Sequence, residues 1–537
     1  MMQTRIPVLI AGGGTVGLAA ALFLSGKGVD ALIVEQQDGP SPHPRATGMG
    51  RRTMEMLRAE GLQDAVNAVC VNMTGGLGKI YVRTLADTDF DSLPVPAHQT
   101  RLGDGGDDSP AVVRGTCPQH RLDSVLLPAI RERGVELRYS TRLESFTQDA
   151  DGVEATLSDG SVVHADYLIA ADGVRSEVRT ALGTEVGGPG PLGKPMMSIM
   201  FRADLTPYLR GHRFVNCTVD NPAVSGLLVT IDGANEWILH VECTDAADEF
   251  TPARCLELIR AAIGDDTCEV DVVSALPWRP RGQLAQQFRV DRVFLAGDAA
   301  HTVPPLGAFG LNTGIADAHN LAWKIAAVLR GEAGESLLET YDSERRPVAA
   351  MTLDQAVRRL RDPRLHWDNT PEIVAARQAA GVIHAPLVHI GYRYDSAAVI
   401  DPQPELPSTE DVSLALDGTP GSLLPHRWVH HHGRRVPTID LIDGFTLLTP
   451  AENWARAAHE AAHELGVALT VHRIPAADGD WAGAVGIDED GALLVRPDHM
   501  IAWRSTMLPT HPRGLLIDVL GAVLARIEPA AAASNRS

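Results

Sequence analysis

The first thirty-five residues constrain the fold more than any other stretch. Ile6-Pro7-Val8-Leu9-Ile10 is a short apolar run of strand type, Thr15 to Gly28 reads as a helix with small residues on its inner side, and Ala31-Leu32-Ile33-Val34-Glu35 is a second strand. Strand, helix and strand in so short a span require a parallel pair joined by a right-handed crossover. Between the first strand and the helix lies Gly12-Gly13-Gly14-Thr15-Val16-Gly17, a GxGxxG match. Its glycines permit a tight turn and let a pyrophosphate approach the helix N-terminus, where unpaired amides and the helix dipole favour an anion. Glu35 ends the second strand where an acid accepts ribose hydroxyls, and Gln36 follows it. A second match, Gly188 to Gly193, has two prolines and no flanking strand or helix, so it reads as a loop. The first match is compatible with NAD or FAD.

A distant segment bears on that choice. The apolar strand Arg292-Val293-Phe294-Leu295-Ala296 runs into Gly297-Asp298-Ala299-Ala300-His301-Thr302-Val303-Pro304-Pro305-Leu306-Gly307-Ala308-Phe309-Gly310-Leu311-Asn312-Thr313-Gly314, and a helix pattern follows from Ile315 to Leu329. An acid sits at the strand tip, two prolines stiffen the turn, and glycines bring backbone amides close to something flat. Asp298 suits a polyol such as the ribityl chain of FAD. Asn312, Thr313 and Gly314 are expected to start the helix, with their amides toward the pyrimidine edge of a flavin. A helix N-terminus stabilises the negative charge of a reduced flavin by roughly 0.3–2 kcal/mol. The two segments are far apart in sequence and must converge in space.

The 537 residues are enough for two to four domains. A formal charge of −21 disfavours a nucleic-acid partner and an anionic membrane surface. No apolar stretch reaches the roughly 18 residues a membrane span needs, and Gly12 to Gly17 interrupt the N-terminal run that mimics a signal peptide. The six cysteines, none in CxxC spacing, read as reduced thiols of a cytoplasmic protein. Arg51 to Gly61 and Arg121 to Arg133 read as helices, and Tyr167 to Ala171 as a strand ending on Asp172-Gly173. Phe214 to Val219 and Trp237 to Glu242 alternate like antiparallel strands. The expected domains are 1–190 with 286–365 for the nucleotide, 191–285 as a β-rich insertion, 366–410 as a linker, and 411–530 as a small α/β domain. Phe214, Leu227, Leu228 and Trp237 are conceivable pocket residues of the insertion, although core packing suits each. No metal site is expected: His430-His431-His432 has no spaced acidic or thiol partners and reads as an exposed loop. Arg361, Arg364 and His366 read as a solvated turn.

Taken together, these blocks resemble the FAD-dependent aromatic hydroxylases of the para-hydroxybenzoate hydroxylase type. Gly12 to Gly17 matches their first fingerprint, Asp172-Gly173 within Tyr167 to Arg179 their second, and Gly297 to Gly314 their third; Ser343-Glu344-Arg345-Arg346-Pro347 is similar to the sequence after their long helix. His43-Pro44-Arg45-Ala46-Thr47-Gly48, Cys117-Pro118-Gln119-His120-Arg121-Leu122, His389 to Tyr394 and Gly491 to Asp498 resemble the larger bacterial members that oxidise polycyclic metabolites. The resemblance implies an α/β chain: a discontinuous Rossmann-like FAD domain, an inserted β-rich substrate domain and a thioredoxin-like C-terminal domain. No cysteine follows Cys268, so that last domain has no CxxC and no redox role.

The resemblance also implies a cofactor set of Gly12, Gly14, Thr15, Val16, Gly17, Glu35, Gln36, Arg45, Gln119, Asp172, Gly173, Gly297, Asp298, Pro305, Gly310, Leu311 and Asn312, with Pro305 beside the substrate and no catalytic base named. Where many relatives have Gly-Gly this chain has Gly307-Ala308, which is accommodated if the alanine φ is negative. NADPH or NADH would reduce the FAD, O2 would add to it as a hydroperoxide, and one oxygen would pass to a phenolic or polycyclic aromatic small molecule. Oxygen insertion beside a ketone, or a flavoprotein that only shelters a reactive intermediate, are the rival readings. A monomer or a homodimer is expected.

Overall fold

The computed structural model describes residues 3–41, 43, 46–73, 76–93, 109–113, 115–243, 250–367, 370–407, 416–475 and 481–526. Arg45, and residues 103–108 of the polar loop, lie outside the described residues.

The N-terminal β-α-β unit forms as its pattern requires. The strand Gln3–Ala11 pairs in parallel with Ala31–Val34 on one side and Val162–Ala170 on the other. Val8, Leu9 and Ile10 have no exposed surface, the signature of a parallel strand covered on both faces. Val293–Leu295 and Glu136–Arg138 extend the sheet in parallel beyond those neighbours. The strand that carries the Gly297 turn is therefore second from the strand that carries the Gly12 turn, with the Asp172-Gly173 strand between them. All three turns emerge at the same ends of parallel strands. The helices Thr15–Gly26 and Phe309–Leu329 pack within one core on this sheet, through Leu18, Leu22, Ile315 and Leu321 among others.

The insertion is a six-stranded sheet with the strand order Asp271–Trp278, Met196–Arg202, Glu236–Glu242, Ser225–Thr230, Asn216–Asp220, Lys79–Val82. Its last strand comes from outside the expected interval 191–285 and pairs in parallel with Asn216–Asp220. The helix Pro252–Ile263 covers one face, joining Phe214, Leu228 and Trp237 in a closed core. Two further expectations are corrected. Residues 188–191 are not loop but part of the irregular strand Val186–Pro191, paired with Arg281–Ala285. The expected linker 366–410 contains the helices Pro371–Ala379 and Ala385–Ile390 and the buried Tyr392, Tyr394 and Val399.

The C-terminal sheet runs Thr470–Arg473, Thr446–Thr449, Ala492–Val495, Ile501–Ser505. The first two strands are parallel, joined through the helix Asn453–Leu465; the last two form an antiparallel hairpin followed by the helix Pro512–Val523. That is a thioredoxin-like order without thiols. His430 and His431 end the strand Trp428–His431, and His432 occupies the turn after it with a φ of 50°, so the histidine run is a hairpin tip rather than an irregular loop.

This domain docks through buried charge. Arg496 lies 2.5 and 2.8 Å from the two oxygens of Glu344 and 2.5 Å from Asp498 Oδ2. Lys324 donates to Glu344 at 2.7 Å, and Asn320 donates to both Glu344 and Asp498. Lys324, Glu344 and Arg496 have no exposed side-chain surface. Burial alone raises the Glu344 pKa, but Arg496 and Lys324 bring it down to about 2. Removing one partner of such a cluster leaves an uncompensated buried charge, at a cost of about 3–5 kcal/mol. Arg496→Leu is expected to lower the unfolding midpoint sharply and to release a fragment near residues 417–526 in limited proteolysis. Equal protease resistance of variant and wild type would count against this docking.

Candidate active site

The glycines of the first motif divide by what they face. A Cβ on Gly17 would lie 1.9 Å from Gly12 O, and one on Gly12, whose φ is +108°, would lie 2.3 Å from Ala171 O. Both therefore serve close packing of helix on strand. Gly14 is different: it caps the helix Thr15–Gly26 with an ordinary φ of −74°, and a Cβ there would meet nothing within 4 Å. Glu35 accepts from Gly13 N at 2.7 Å and from Gln37 N at 2.8 Å, which fixes its carboxylate beside the notch, with Gln36 exposed next to it. The Thr15 hydroxyl is spent on the buried Asp123, 2.5 Å away on the helix Gln119–Glu132. Burial pushes the Asp123 carboxyl up to about 6.

The two distant segments do meet. Val16 fills the space over Gly297 and Gly314, where added Cβ atoms would lie 2.8 and 2.7 Å from its Cγ2. Asp317, fully buried in the helix Phe309–Leu329, holds the turn from below. It accepts from Gly297 N at 3.1 Å, pairs with His301 Nε2 at 2.6 Å, and accepts from Arg345 Nε at 2.8 Å. Burial raises its pKa, but His301 and Arg345 outweigh that and keep it low. Asp298 and Pro305 are exposed on the upper side of the turn.

The helix begins earlier than expected, at Phe309, so its free first-turn amides belong to Phe309, Gly310 and Leu311 rather than to Asn312, Thr313 and Gly314. The reason is Ala308. It is the cap, with φ +54° and ψ 35°, in the left-handed region. The expectation of a negative φ is therefore wrong, and the residue bears roughly 1–2 kcal/mol of strain that glycine would not. Its methyl lies where a Gly48 side chain would go, 2.5 Å from an added Cβ. Asn312 clasps the same loop. Its Oδ1 accepts from Gly50 N at 2.8 Å and Thr53 Oγ1 at 2.6 Å, and its Nδ2 donates to Gly48 O at 3.2 Å and Ala308 O at 2.6 Å. Its side chain is thus engaged with protein. Gln119 N and Cys117 N tie the preceding residues down through Ala46 O and Thr47 O. His389, kept neutral by a pKa lowered to about 4 by burial, packs beside this corner with its ring 5.0 Å from that of Phe309 and tilted by 55° to it.

On the second strand tip, Asp172 Oδ2 accepts from Val178 N at 3.1 Å, while its buried Oδ1 has no hydrogen-bond partner among the described residues. Burial raises its pKa. Gly173 has a φ of +82° and open space around its α-carbon. Arg179 bridges this tip to the third, donating to Val174 O at 3.0 Å and Ala299 O at 2.7 Å. Of the expected turn residues, Arg361 and Arg364 are exposed, whereas burial presses the His366 pKa down to about 3.

The face of the six-stranded sheet away from the helix meets the FAD domain: His43, from the loop after Glu35, lands on it beside Ser198 and Ser274. Strand parity puts Phe214, Leu228 and Trp237 on the opposite, helix-covered side, so of the four conceivable pocket residues only Leu227 shares the inner face. Sequence reasoning quoted His43 only as part of a resemblance block and passed over His240, Ser198 and Ser274; all four stand there. Their signal was period-2 alternation through Ser198-Ile199-Met200 and Ile238-Leu239-His240.

The Ala308–Gly48 contact yields a double-mutant cycle. Gly48→Ala is expected to cost more than tenfold in flavin affinity, because the turn must shift; in an Ala308→Gly background the same change should cost less than about twofold. Additive losses in the two backgrounds, measured by flavin fluorescence titration, would refute the contact.

Residues 5–356 match the FAD binding domain family and residues 417–526 the aromatic-ring hydroxylase C-terminal family. The chain is 42% identical to tetracenomycin B2 monooxygenase-dioxygenase of Streptomyces olivaceus, over 98% of this chain and 100% of that protein. It is 34% identical to aklavinone 12-hydroxylase of Streptomyces purpurascens, over 98% of this chain and 100% of that one. Among solved structures, a ternary complex of aklavinone-11 hydroxylase with FAD and aklavinone superposes with a TM-score of 0.86 at 33% identity, covering 98% of this chain and 100% of that chain. No helix among the described residues is long and apolar enough to cross a membrane. The chain is an FAD-dependent, NAD(P)H-consuming monooxygenase and belongs to the family of FAD-dependent aromatic-ring hydroxylases.

Proposed function

We propose that this enzyme hydroxylates a polycyclic phenol, of the kind that an aromatic polyketide provides, with FAD lying across the three strand tips. In this reading Gly12, Gly14, Thr15, Val16 and Gly17 carry the pyrophosphate on helix amides, with Glu35 and Gln36 at the adenosine end. Gln119, Asp172 and Gly173 flank the groove, and Arg45 joins them. Gly297 and Asp298 take the ribityl chain, and Pro305, Gly310, Leu311 and Asn312 the isoalloxazine. The domains are 1–190 with 286–365 for FAD, 191–285 for substrate and 411–530 at the C-terminus, in a cytoplasmic monomer or homodimer.

One observation carries the reading: the open α-carbon of Gly14 at a helix N-terminus, among motif glycines otherwise packed against the chain itself. Nothing in the protein needs a glycine there, whereas a ligand backed onto free amides does. The exposed Asp298 and Pro305 and the open Gly173 line the same ends of the sheet. FAD, reduced by NADPH or NADH, supplies the activation of O2, which is cofactor chemistry. The chain's own residues bind the ring face, exclude water and hold charge. The sheet face built on the buried Met200, Ile231 and Ile238, and continued by Leu227 and Val229, has the apolar character that suits a fused aromatic system. Neither rival reading is favoured: the related proteins bear the names of monooxygenases and hydroxylases.

Two measurements test this. Gly14→Val is expected to leave the unfolding midpoint of the flavin-free protein nearly unchanged and to cut bound FAD more than tenfold; a variant that remains fully yellow would remove the pyrophosphate assignment. Polycyclic phenols are expected to stimulate NADPH oxidation, with NMR of the product showing a new ring hydroxyl. A lactone product would replace hydroxylation by oxygen insertion, and no stimulation by any phenol would favour the sheltering flavoprotein.

A further inference from the structure

The inner face of the six-stranded sheet is an apolar field with one polar island. Met200, Ile231 and Ile238 are buried there, and Leu227 and Val229 continue the surface. The island is Ser198 with its cross-strand neighbour His240, Ser274 one row away, and Trp278, whose ring meets His240 edge-on at 5.6 Å. His43 closes over it from the FAD domain, with Nδ1 2.8 Å from Ser274 Oγ and Nε2 2.9 Å from Ser198 Oγ.

Hydrogen-bond accounting singles out His240. A neutral imidazole has one donor and one acceptor, and the two serines occupy both on His43. His240 makes no such bond: its Nδ1 is shut away from solvent and has no partner among the described residues, and the same holds for Trp278 Nε1. Burial first, and His43 second, lower the His240 pKa to about 4, so the ring is neutral near pH 7 and keeps a lone pair to offer. Buried polar groups are nearly always paired, and an orphan in a native structure asks for a ligand or an ordered water. This orphan sits on the sheet face that His43 of the FAD domain meets, as cross-strand neighbour of Ser198. An apolar field binds ring faces without fixing which edge points where; a single acceptor fixes that.

We propose that His240, set by Trp278 and by the Ser198–His43 pair beside it, accepts a hydrogen bond from a ring hydroxyl of the aromatic substrate and makes the site select hydroxylated polycycles over their O-methylated counterparts. This rests on the aromatic-hydroxylase reading of the pocket.

The test uses the FAD-loaded full-length enzyme with 1-naphthol and 1-methoxynaphthalene as probes, their affinities read from the perturbation of flavin absorbance. Wild type is expected to bind the naphthol about tenfold more tightly than the ether. In His240→Leu the ratio should fall to within about twofold, the loss falling on the naphthol alone, and His240→Gln should restore part of it. A ratio in His240→Leu equal to that of wild type overturns the inference, as does equal binding of the two probes by wild type. Failure of wild type to bind either probe overturns it together with the pocket reading on which it rests.

Discussion

Asp317 is the residue on which the rest of the site depends. It is a carboxylate with no exposed surface, in the middle of a helix that is itself buried. Such a charge is tolerable only because each oxygen is met: Gly297 N and His301 on one side, Arg345 on the other. Those three contacts lie on the turn after a strand, on the strand that follows it, and on the next long helix. One ionised group therefore sets the height of the Gly297 turn above its own helix. Arg345 carries the constraint onward, to Tyr394 Oη at 3.0 Å and Thr313 O at 3.3 Å.

In the proposed binding mode the cofactor groove is a seam between three strand tips, closed by small residues and backbone amides. Val16 is pressed over two glycines, Arg179 spans two tips, and the Ala46–Gly50 loop is stitched to the rest through Gln119, Cys117 and Asn312. The result is a tightly tied rim with open space at Gly14 and Gly173 and an exposed Asp298. In the proposed arrangement this rim holds the flavin at a fixed distance from a substrate on the six-stranded sheet.

Much of this was legible in the sequence because it is local. A β-α-β unit with glycines in its first turn has one topology, and the strand-turn-helix at Gly297 announces itself by its prolines and glycines. The misplaced helix start follows from the same logic: a residue in the left-handed region is normally signalled by glycine, and Ala308 gives no such signal. The buried charges were hidden for a different reason. Glu344 and Lys324 have the look of a solvated helix face, and Arg496, which pairs with Glu344, lies 152 residues away from it in another domain. Sheet parity misled in the opposite direction. Phe214 and Trp237, the large apolar residues that look like pocket walls, pack under the covering helix, while serines and histidines that look like surface residues face inward.

The Arg496–Asp498 dock bears on how such enzymes can be recombined. The C-terminal domain has its own sheet and one apolar cluster of its own, but its other cluster is shared with Trp323, Ala327 and Leu337 of the FAD domain. By charge, too, it is not a module that could be exchanged freely among related hydroxylases. Lys324 and Glu344 belong to helices of the FAD domain, yet their neutralisation is completed by a guanidinium and a carboxylate from beyond residue 490. A chimera cut between the domains inherits half an ion cluster from each parent. The smallest unit that can be grafted with its electrostatics intact is the C-terminal domain together with the Asn320, Lys324 and Glu344 positions that receive it.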